Sequence, residues 1–328
     1  LPAASELSTR LATRRREVCG PAVKAMAAEN CRWPPRIALL AALATASAQA
    51  PPPPPAPRLT TSGRSLLLDG QPHLVRGVAY SPTPIGTRPS ASQGLDFFHD
   101  GYSHVWQRDI PRMAAMGVNT IRLYTIETEH DGVALDHTAF FDACAAHNIS
   151  VFASFELLSA VHRLDTEIGF TLVNADLIKK LTILNHPAVV LWFVGNELNL
   201  PSTGWACNVT RAEKLEGDAC QFGGAELHDL YGRVNELCAQ VVQRGKMCAS
   251  PLADFSLPEE YQPDASISRN GNAIDWWREL ETVASSSSNM GIHAGNIYRP
   301  LKFSKDYFYH YAGETEAVGD VKPLLISE

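Results

Sequence analysis

The stretch Ala188-Val-Val-Leu-Trp-Phe-Val-Gly-Asn-Glu197 decides the fold. Its first seven residues are apolar without interruption, as expected for a β-strand that is buried on both faces of a parallel sheet. Pro187 stands immediately before it and separates the strand from the preceding helical segment. The sequence therefore predicts a central strand over 188–194, with the carboxylic acid of Glu197 close to its carboxyl end.

Further runs rich in β-forming residues alternate with longer segments of helical pattern, which is typical of repeated βα units around a parallel sheet. Asp69-Gly70 predicts a turn that closes a short hairpin before the first of them. Asn174 is the expected N-cap of the third helix. The predicted strands are 74–80, 118–124, 149–155, 188–194, 246–250, 291–298 and 323–327, and the predicted helices 105–116, 136–147, 174–184, 226–244 and 275–284.

This order predicts an α/β fold, a (β/α)8 TIM barrel that is truncated after the seventh strand. A chain that ends on a strand would leave an apolar edge, so we expect the sequence to be a fragment.

The residues before the barrel have a different composition. We expect 1–25 to be an upstream extension, 26–50 a secretory signal peptide, 51–58 a proline-rich linker, and 59–328 the catalytic barrel. The apolar run near residue 40 favours a cleaved signal over a membrane anchor, because it is shorter than the ~20 residues that a spanning helix needs. The expected location is therefore secreted or at the cell surface.

Five cysteines remain after this leader, and an oxidising compartment favours their pairing. Cys207 with Cys220 and Cys238 with Cys248 are the expected pairs, which leaves Cys144 free and buried; the sequence leaves other pairings open. Asn148-Ile-Ser150 and Asn208-Val-Thr210 are sequons for N-linked glycosylation, which occur often by chance.

The charge balance argues against a nucleic-acid partner. The formal net charge is −7, and the body of the chain has no Lys/Arg cluster, so a neutral or weakly charged substrate is favoured. The spacing of Cys and His residues does not suggest a metal site, and we expect no metal or cofactor.

Two acidic residues follow predicted strands, Glu197 after the fourth and Glu328 after the seventh. Barrel closure brings the carboxyl ends of strands to one mouth, where barrel enzymes keep their active sites. Retaining glycosidases need such a pair, one protonated acid for the leaving oxygen and one carboxylate ~5 to 5.5 Å away as nucleophile. Asn196 is then placed to hydrogen-bond the 2-hydroxyl of the sugar.

The chain resembles glycoside hydrolase clan A, in particular the catalytic barrels of families 2 and 5, in the stretches 75–78, 116–124, 191–197, 296–298 and 322–328. The resemblance implies Glu197 as acid/base, Glu328 as nucleophile, Asn196 as the 2-hydroxyl partner, and Tyr298 as a hydrogen-bond donor to the nucleophile. It also implies that Arg122 steadies the charge of the nucleophile, although ion pairing of Arg122 with Glu127 or Glu156 is the alternative.

The expected function is a retaining β-glycoside hydrolase that acts on a β-linked oligo- or polysaccharide. The stretch 77–80 also resembles the fungal β-1,3-glucanosyltransferases of the same clan, which keeps transglycosylation as an alternative beside a non-catalytic carbohydrate-binding barrel. Tyr80 and Trp205 are candidates for stacking on sugar rings, and Glu156, after the third strand, is a candidate sugar ligand or a structural acid.

Overall fold

A computed structural model describes residues 58–83, 85, 96–157, 163, 164, 166–198, 224–254, 289–297, 311–313 and 321–327. All of them belong to one unit, Pro54–Glu328. The expected leader, the Cys207–Cys220 pair and the helix over 275–284 lie outside the described residues.

The described strands are β1 (Leu59–Ser62), β2 (Ser65–Leu68), β3 (Gln71–Pro72), β4 (Gly77–Ala79), β5 (Thr120–Arg122), β6 (Glu129–His130), β7 (Val133–Ala134), β8 (Ser150–Phe155), β9 (Val189–Val194), β10 (Met247–Ala249), β11 (Pro251–Asp254), β12 (His293–Ile297) and β13 (Leu324–Ile326). The described α-helices are α1 (Ser103–Ala115), α2 (Thr138–Ala146), α3 (Glu167–Ile183) and α4 (Gly224–Val242).

The fold is a (β/α)8 barrel, of which the described residues supply seven strand positions. Strands β4, β5, β8, β9 and β10 pair in that order, all parallel, and β11, β12 and β13 continue the series. Each of the seven predicted strands contains one of these strands, so the strand order predicted from the sequence is confirmed. The helices alternate with the strands because a parallel pair needs a crossover connection.

The fifth strand position differs from its prediction over 246–250. The chain pairs with β9 through β10, and after Ser250 it continues as β11, which pairs with β12. Pro251 is tolerated because it is the first residue of β11, where a missing N–H does little harm. The fifth strand therefore reaches further toward the carboxyl face than its apolar run indicated.

Helix α3 begins earlier than predicted. Thr166 is its N-cap, and the Thr166 hydroxyl accepts a hydrogen bond of 3.1 Å from the N–H of Gly169. Asn174, the expected cap, lies inside the helix, so that assignment was wrong. A threonine followed by an acidic residue in the first turn is an equally good start, and Glu167 supplies that acid.

A hairpin precedes the barrel and is packed onto its interior. Asp69 and Gly70 both have positive φ, 50° and 77°, and form the predicted tight turn between β2 and β3. Leu59 and Leu66 of the hairpin belong to the apolar core formed by inward-facing residues of the barrel strands. Because Arg58 donates to the carbonyl of Pro187, just before β9, the hairpin lies at the amino ends of the strands.

A disulfide joins α4 to the neighbouring strand. Cys238 and Cys248 are bonded, as the sequence predicted, and both are fully buried. Cys144 is free and buried, which also agrees with the prediction, and burial raises the pKa of its thiol to about 12.

Candidate active site

The turn after β9 fixes the position of Glu197. Gly195 has φ +77°, and a Cβ at this position would lie 2.5 Å from a methyl group of Leu198, so only glycine fits. Glu197 has φ 52°, a left-handed conformation that costs roughly 1–2 kcal/mol for a residue with a Cβ. Its N–H donates to the carbonyl of Pro251 at 2.8 Å, which ties the strained residue to the fifth strand. The surrounding contacts thus hold the acid at the carboxyl end of β9.

Arg122 joins the ends of three strands. Its guanidinium donates to the side-chain oxygen of Asn196 at 2.6 Å, to that of Asn296 at 3.2 Å, and to the carbonyl of Ser327 at 3.0 Å. Asn196 directly precedes Glu197 and Ser327 directly precedes Glu328. One buried cation therefore contacts the neighbours of both candidate carboxylates.

The guanidinium of Arg122 also lies against two aromatic rings. Its central carbon is 4.2 Å from the ring centroid of Tyr124 and 4.8 Å from that of Phe193. Cation–π contacts of this kind are stronger where the groups are desolvated, and Arg122 is only 4% exposed. One ring face of Tyr124 is thus in contact with Arg122.

Asn296 contacts Glu197, although the sequence did not predict it as a residue of the site. It is fully buried in β12, and its amide donates to the carboxylate of Glu197 at 2.9 Å and to the side-chain oxygen of Asn196 at 3.2 Å. Its own oxygen accepts from the hydroxyl of Ser327 at 2.8 Å. The available signal was a polar residue near the carboxyl end of an otherwise buried strand, because buried amides need partners.

Glu156 is a second acid near Glu197. It follows β8 and is partly buried, and burial raises its pKa to about 7, while the charges of Arg122 and Lys180 lower it and that of Glu197 raises it. Lys180 pairs with Glu127 at 2.8 Å, so the alternative pairing of Glu127 with Arg122 is not the arrangement found. The described site therefore contains two glutamates whose charges interact.

Tyr80 does not join this cluster. Its ring packs against Phe98 in the outer core and is 7% exposed, and its hydroxyl donates to Asp109 of α1 at 3.1 Å. A ring so deeply buried presents little face to a sugar, so the structure gives Tyr80 a packing role between strand and helix. Glu328, Tyr298 and Trp205 lie outside the described residues, and their site roles stay predictions.

An apolar cavity of about 860 Å³ lies between β4 and β13. Val78, Phe152 and Phe193 are among its lining residues, and Arg122 and Ser327 also line it. Glu197 does not line it, so this cavity belongs to the barrel interior between the first and seventh strands and does not reach the candidate acid.

The residues that the structure describes hold no group of three or more His, Cys, Asp or Glu side chains arranged to bind a metal ion. Within the same ranges, no helix combines the length and apolar character needed to cross a membrane.

Comparison with known proteins gives one family match. Residues 59–212 match the family model described as "Glucanosyltransferase". Among curated proteins, none matches this chain.

Solved structures of Gas2, a protein from Saccharomyces cerevisiae, share the fold. The complex with compound 12 has a TM-score of 0.52 at 15% identity, over 83% of this chain and 54% of that one. The complex with compound 8 has a TM-score of 0.52 at 14% identity, over 83% and 52%. The chain thus spans about half the length of these structures.

These findings support a glycoside hydrolase of clan A. The expected likeness to families 2 and 5 was too specific, because the family match is to glucanosyltransferases instead.

Proposed function

We propose that this protein is a retaining glucanosyltransferase, which cleaves a β-1,3-linked glucan and transfers one part of it to another glucan chain. The match of residues 59–212 to a glucanosyltransferase family favours this reaction over the hydrolysis that the sequence alone favoured. The linkage rests on the resemblance of 77–80 to the fungal β-1,3-glucanosyltransferases. The partner is therefore a polysaccharide, and secretion or attachment at the cell surface fits such a substrate.

The observation that carries the proposal is the network around Glu197. Asn296 donates to the Glu197 carboxylate, and Arg122 contacts both Asn196 and Ser327. An acid held in this way, next to a fixed amide and close to the end of the seventh strand, has the surroundings that glycosyl transfer requires.

In the first step, the carboxylate of Glu328 attacks the anomeric carbon, and the glycosidic bond breaks. Glu197 gives its proton to the departing oxygen, so the leaving chain departs as a neutral alcohol. Asn196 hydrogen-bonds the 2-hydroxyl of the reacting sugar, an interaction that strengthens as the oxocarbenium-like transition state forms. The product of this step is a covalent glycosyl-enzyme in which Glu197 is ionised.

In the second step, the attacking group is a hydroxyl of an acceptor glucan, where a hydrolase would use water. Glu197 removes the proton of this hydroxyl while its oxygen attacks the anomeric carbon, and Glu328 leaves as a carboxylate. Two inversions give net retention. Arg122 stabilises the departing carboxylate by its charge, Tyr298 donates a hydrogen bond to it, and Trp205 stacks on the bound sugar.

The test uses a β-1,3-linked gluco-oligosaccharide of defined length, with products separated by mass. Transfer yields oligosaccharides longer than the substrate, whereas hydrolysis yields only shorter ones. Glu197→Gln and Glu328→Gln should each abolish turnover, because one lacks the proton donor and the other the nucleophile.

Three outcomes would contradict the proposal. Exclusively shorter products would return the assignment to a hydrolase. Binding of the oligosaccharide without any product would favour a non-catalytic barrel, and full activity of either glutamine variant would refute the assigned roles. Glu129→Gln is a matched control, because Glu129 is an exposed glutamate paired with Lys179 and should leave turnover unchanged.

A further inference from the structure

The loop between α2 and β8 presents an asparagine in an unusual backbone conformation. Asn148 has φ 56°, in the left-handed region. Its N–H donates to the carbonyl of Ala145 at 3.0 Å, and the N–H of Ile149 donates to that of Cys144 at 2.9 Å. These two bonds form a Schellman motif that ends the helix, with Asn148 at the position that glycine usually takes.

Helix α1 shows what this cap needs. It ends with the same pair of bonds, from Gly117 to Ala114 at 2.9 Å and from Val118 to Met113 at 3.0 Å, and Gly117 has φ 86°. Glycine meets the backbone requirement there at no steric cost. Asparagine is the residue that most often replaces glycine in this conformation, so the cap at 148 explains the backbone, but it makes no use of the asparagine amide.

The side chain of Asn148 is open to solvent. The residue is exposed, as are Ala145 and His147 beside it. Across the described ranges, the Asn148 amide makes no hydrogen bond to another residue, whereas the amide of Asn119, just before β5, bonds backbone groups of Leu74 and Arg76. An attached group would find space here without displacing a contact.

We propose that Asn148 carries an N-linked oligosaccharide, with Asn148-Ile-Ser150 as its acceptor sequence. The amide nitrogen of Asn148 attacks the anomeric carbon of an oligosaccharide bound to a lipid diphosphate. The new N-glycosidic bond replaces the bond to the diphosphate, which leaves with its lipid, and the amide loses one proton. The proposal rests on the entry of the protein into the secretory route that its proposed function implies.

Burial of Ser150 determines when this reaction takes place. Ser150 is 6% exposed, and its N–H donates to the carbonyl of Asn119 at 2.9 Å within the sheet. Recognition of an acceptor sequence requires its hydroxyl residue, which the folded sheet covers. Transfer therefore precedes the pairing of β8 with β5 and β9, while the finished glycan projects from the folded surface.

The glycan lies away from the candidate active site. Asn148 precedes the amino end of β8, and Glu156 follows its carboxyl end. The two positions are eight residues apart in sequence, which corresponds to roughly 25 Å of extended chain. Substrate access at the carboxyl face is therefore unaffected by an oligosaccharide at the opposite end of the strand.

The test synthesises the full chain with endoplasmic-reticulum membranes, behind a strong heterologous secretion signal and with an added reporter sequon at its carboxyl end. Asn208→Gln in every variant removes the second natural sequon. The chain should gain the apparent mass of one glycan in addition to the glycan on the reporter sequon, and a glycosidase should remove this gain. Asn148→Gly and Ser150→Ala should lose it, and Ser150→Thr should keep it.

Asn148→Gly is the matched control, because it removes the acceptor and preserves the helix cap. A modified reporter beside an unmodified Asn148 overturns the proposal. A second experiment replaces the heterologous signal with the natural leader. If the reporter sequon stays unmodified there, the protein does not enter the secretory route, and the glycan at Asn148 is refuted with it. Asn148→Gly should transfer glucan as the wild type does, so a failed glycan test and a failed glucanosyltransferase assay are separate results.

Discussion

Arg122→Lys tests whether one guanidinium organises the site. Lysine keeps the charge but has one nitrogen, so it cannot stand in for both Nη1, which bonds Asn296 and Ser327, and Nη2, which bonds Asn196. At least one bond from a charged donor is lost, which should lower the free energy of unfolding by about 1.5 kcal/mol. The kcat/KM should fall roughly 100-fold, the factor expected if the candidate carboxylates move by about 1 Å.

The assay measures kcat/KM for transfer with a β-1,3-linked gluco-oligosaccharide, and thermal unfolding shows whether the variant is folded at the assay temperature. Arg76→Lys is the control, because Arg76 is exposed and its Nε bonds only the carbonyl of Gly117, at 2.8 Å, near the amino ends of the strands. Its kcat/KM should not change. If folded Arg122→Lys retains wild-type kcat/KM, or loses no more than Arg76→Lys, the organising role of Arg122 is refuted.

Three other predictions concern stability, each measured as the free energy of unfolding in urea. The pKa of Glu156 is about 7 in the folded protein against 4.5 ordinarily, so ionisation opposes folding. Stability should fall by on the order of 3 kcal/mol as pH rises from about 4.5 to above 7, and Glu156→Gln should remove this decline; parallel pH profiles would contradict it. Gly195→Ala should lower the free energy of unfolding by more than the roughly 1–2 kcal/mol expected for Gly63→Ala. Both glycines have positive φ, but only the methyl group added at 195 meets a neighbouring side chain. Equal losses of stability in the two variants would show that Leu198 moves aside at little cost. Replacing Cys238 and Cys248 by alanine should cost about 3 kcal/mol relative to the oxidised protein; if reduction leaves the wild-type urea midpoint unchanged, the bond does not contribute.

The sequence by itself determined the order of elements. Apolar runs bounded by helical patterns specify buried parallel strands, since such strands need crossovers and are covered on both faces. The same local signals gave the Asp69-Gly70 turn and the Cys238–Cys248 pair, where nine residues lie between the cysteines. Placement of Glu197 after a strand also followed from the chain alone.

Local signals were ambiguous where two residues offered the same function. Thr166 and Asn174 are both good N-caps, and only the packing of α3 selected Thr166. Tyr80 follows a strand, as a sugar platform would, yet its ring lies between β4 and α1 because the strand end turns it toward the helix layer. Neither choice is encoded in a short window of sequence.

Only the tertiary structure decided how the site is connected. Arg122 contacts Ser327 across 205 residues of sequence and Asn196 across 74, and Asn296 reaches Glu197 across 99. These contacts depend on strand order and register, which bring the carboxyl ends of separate strands together. A periodic pattern fixes which face of a strand is buried. The hydrogen-bond partner of a buried polar group depends on which residues of other strands lie next to it after the barrel closes.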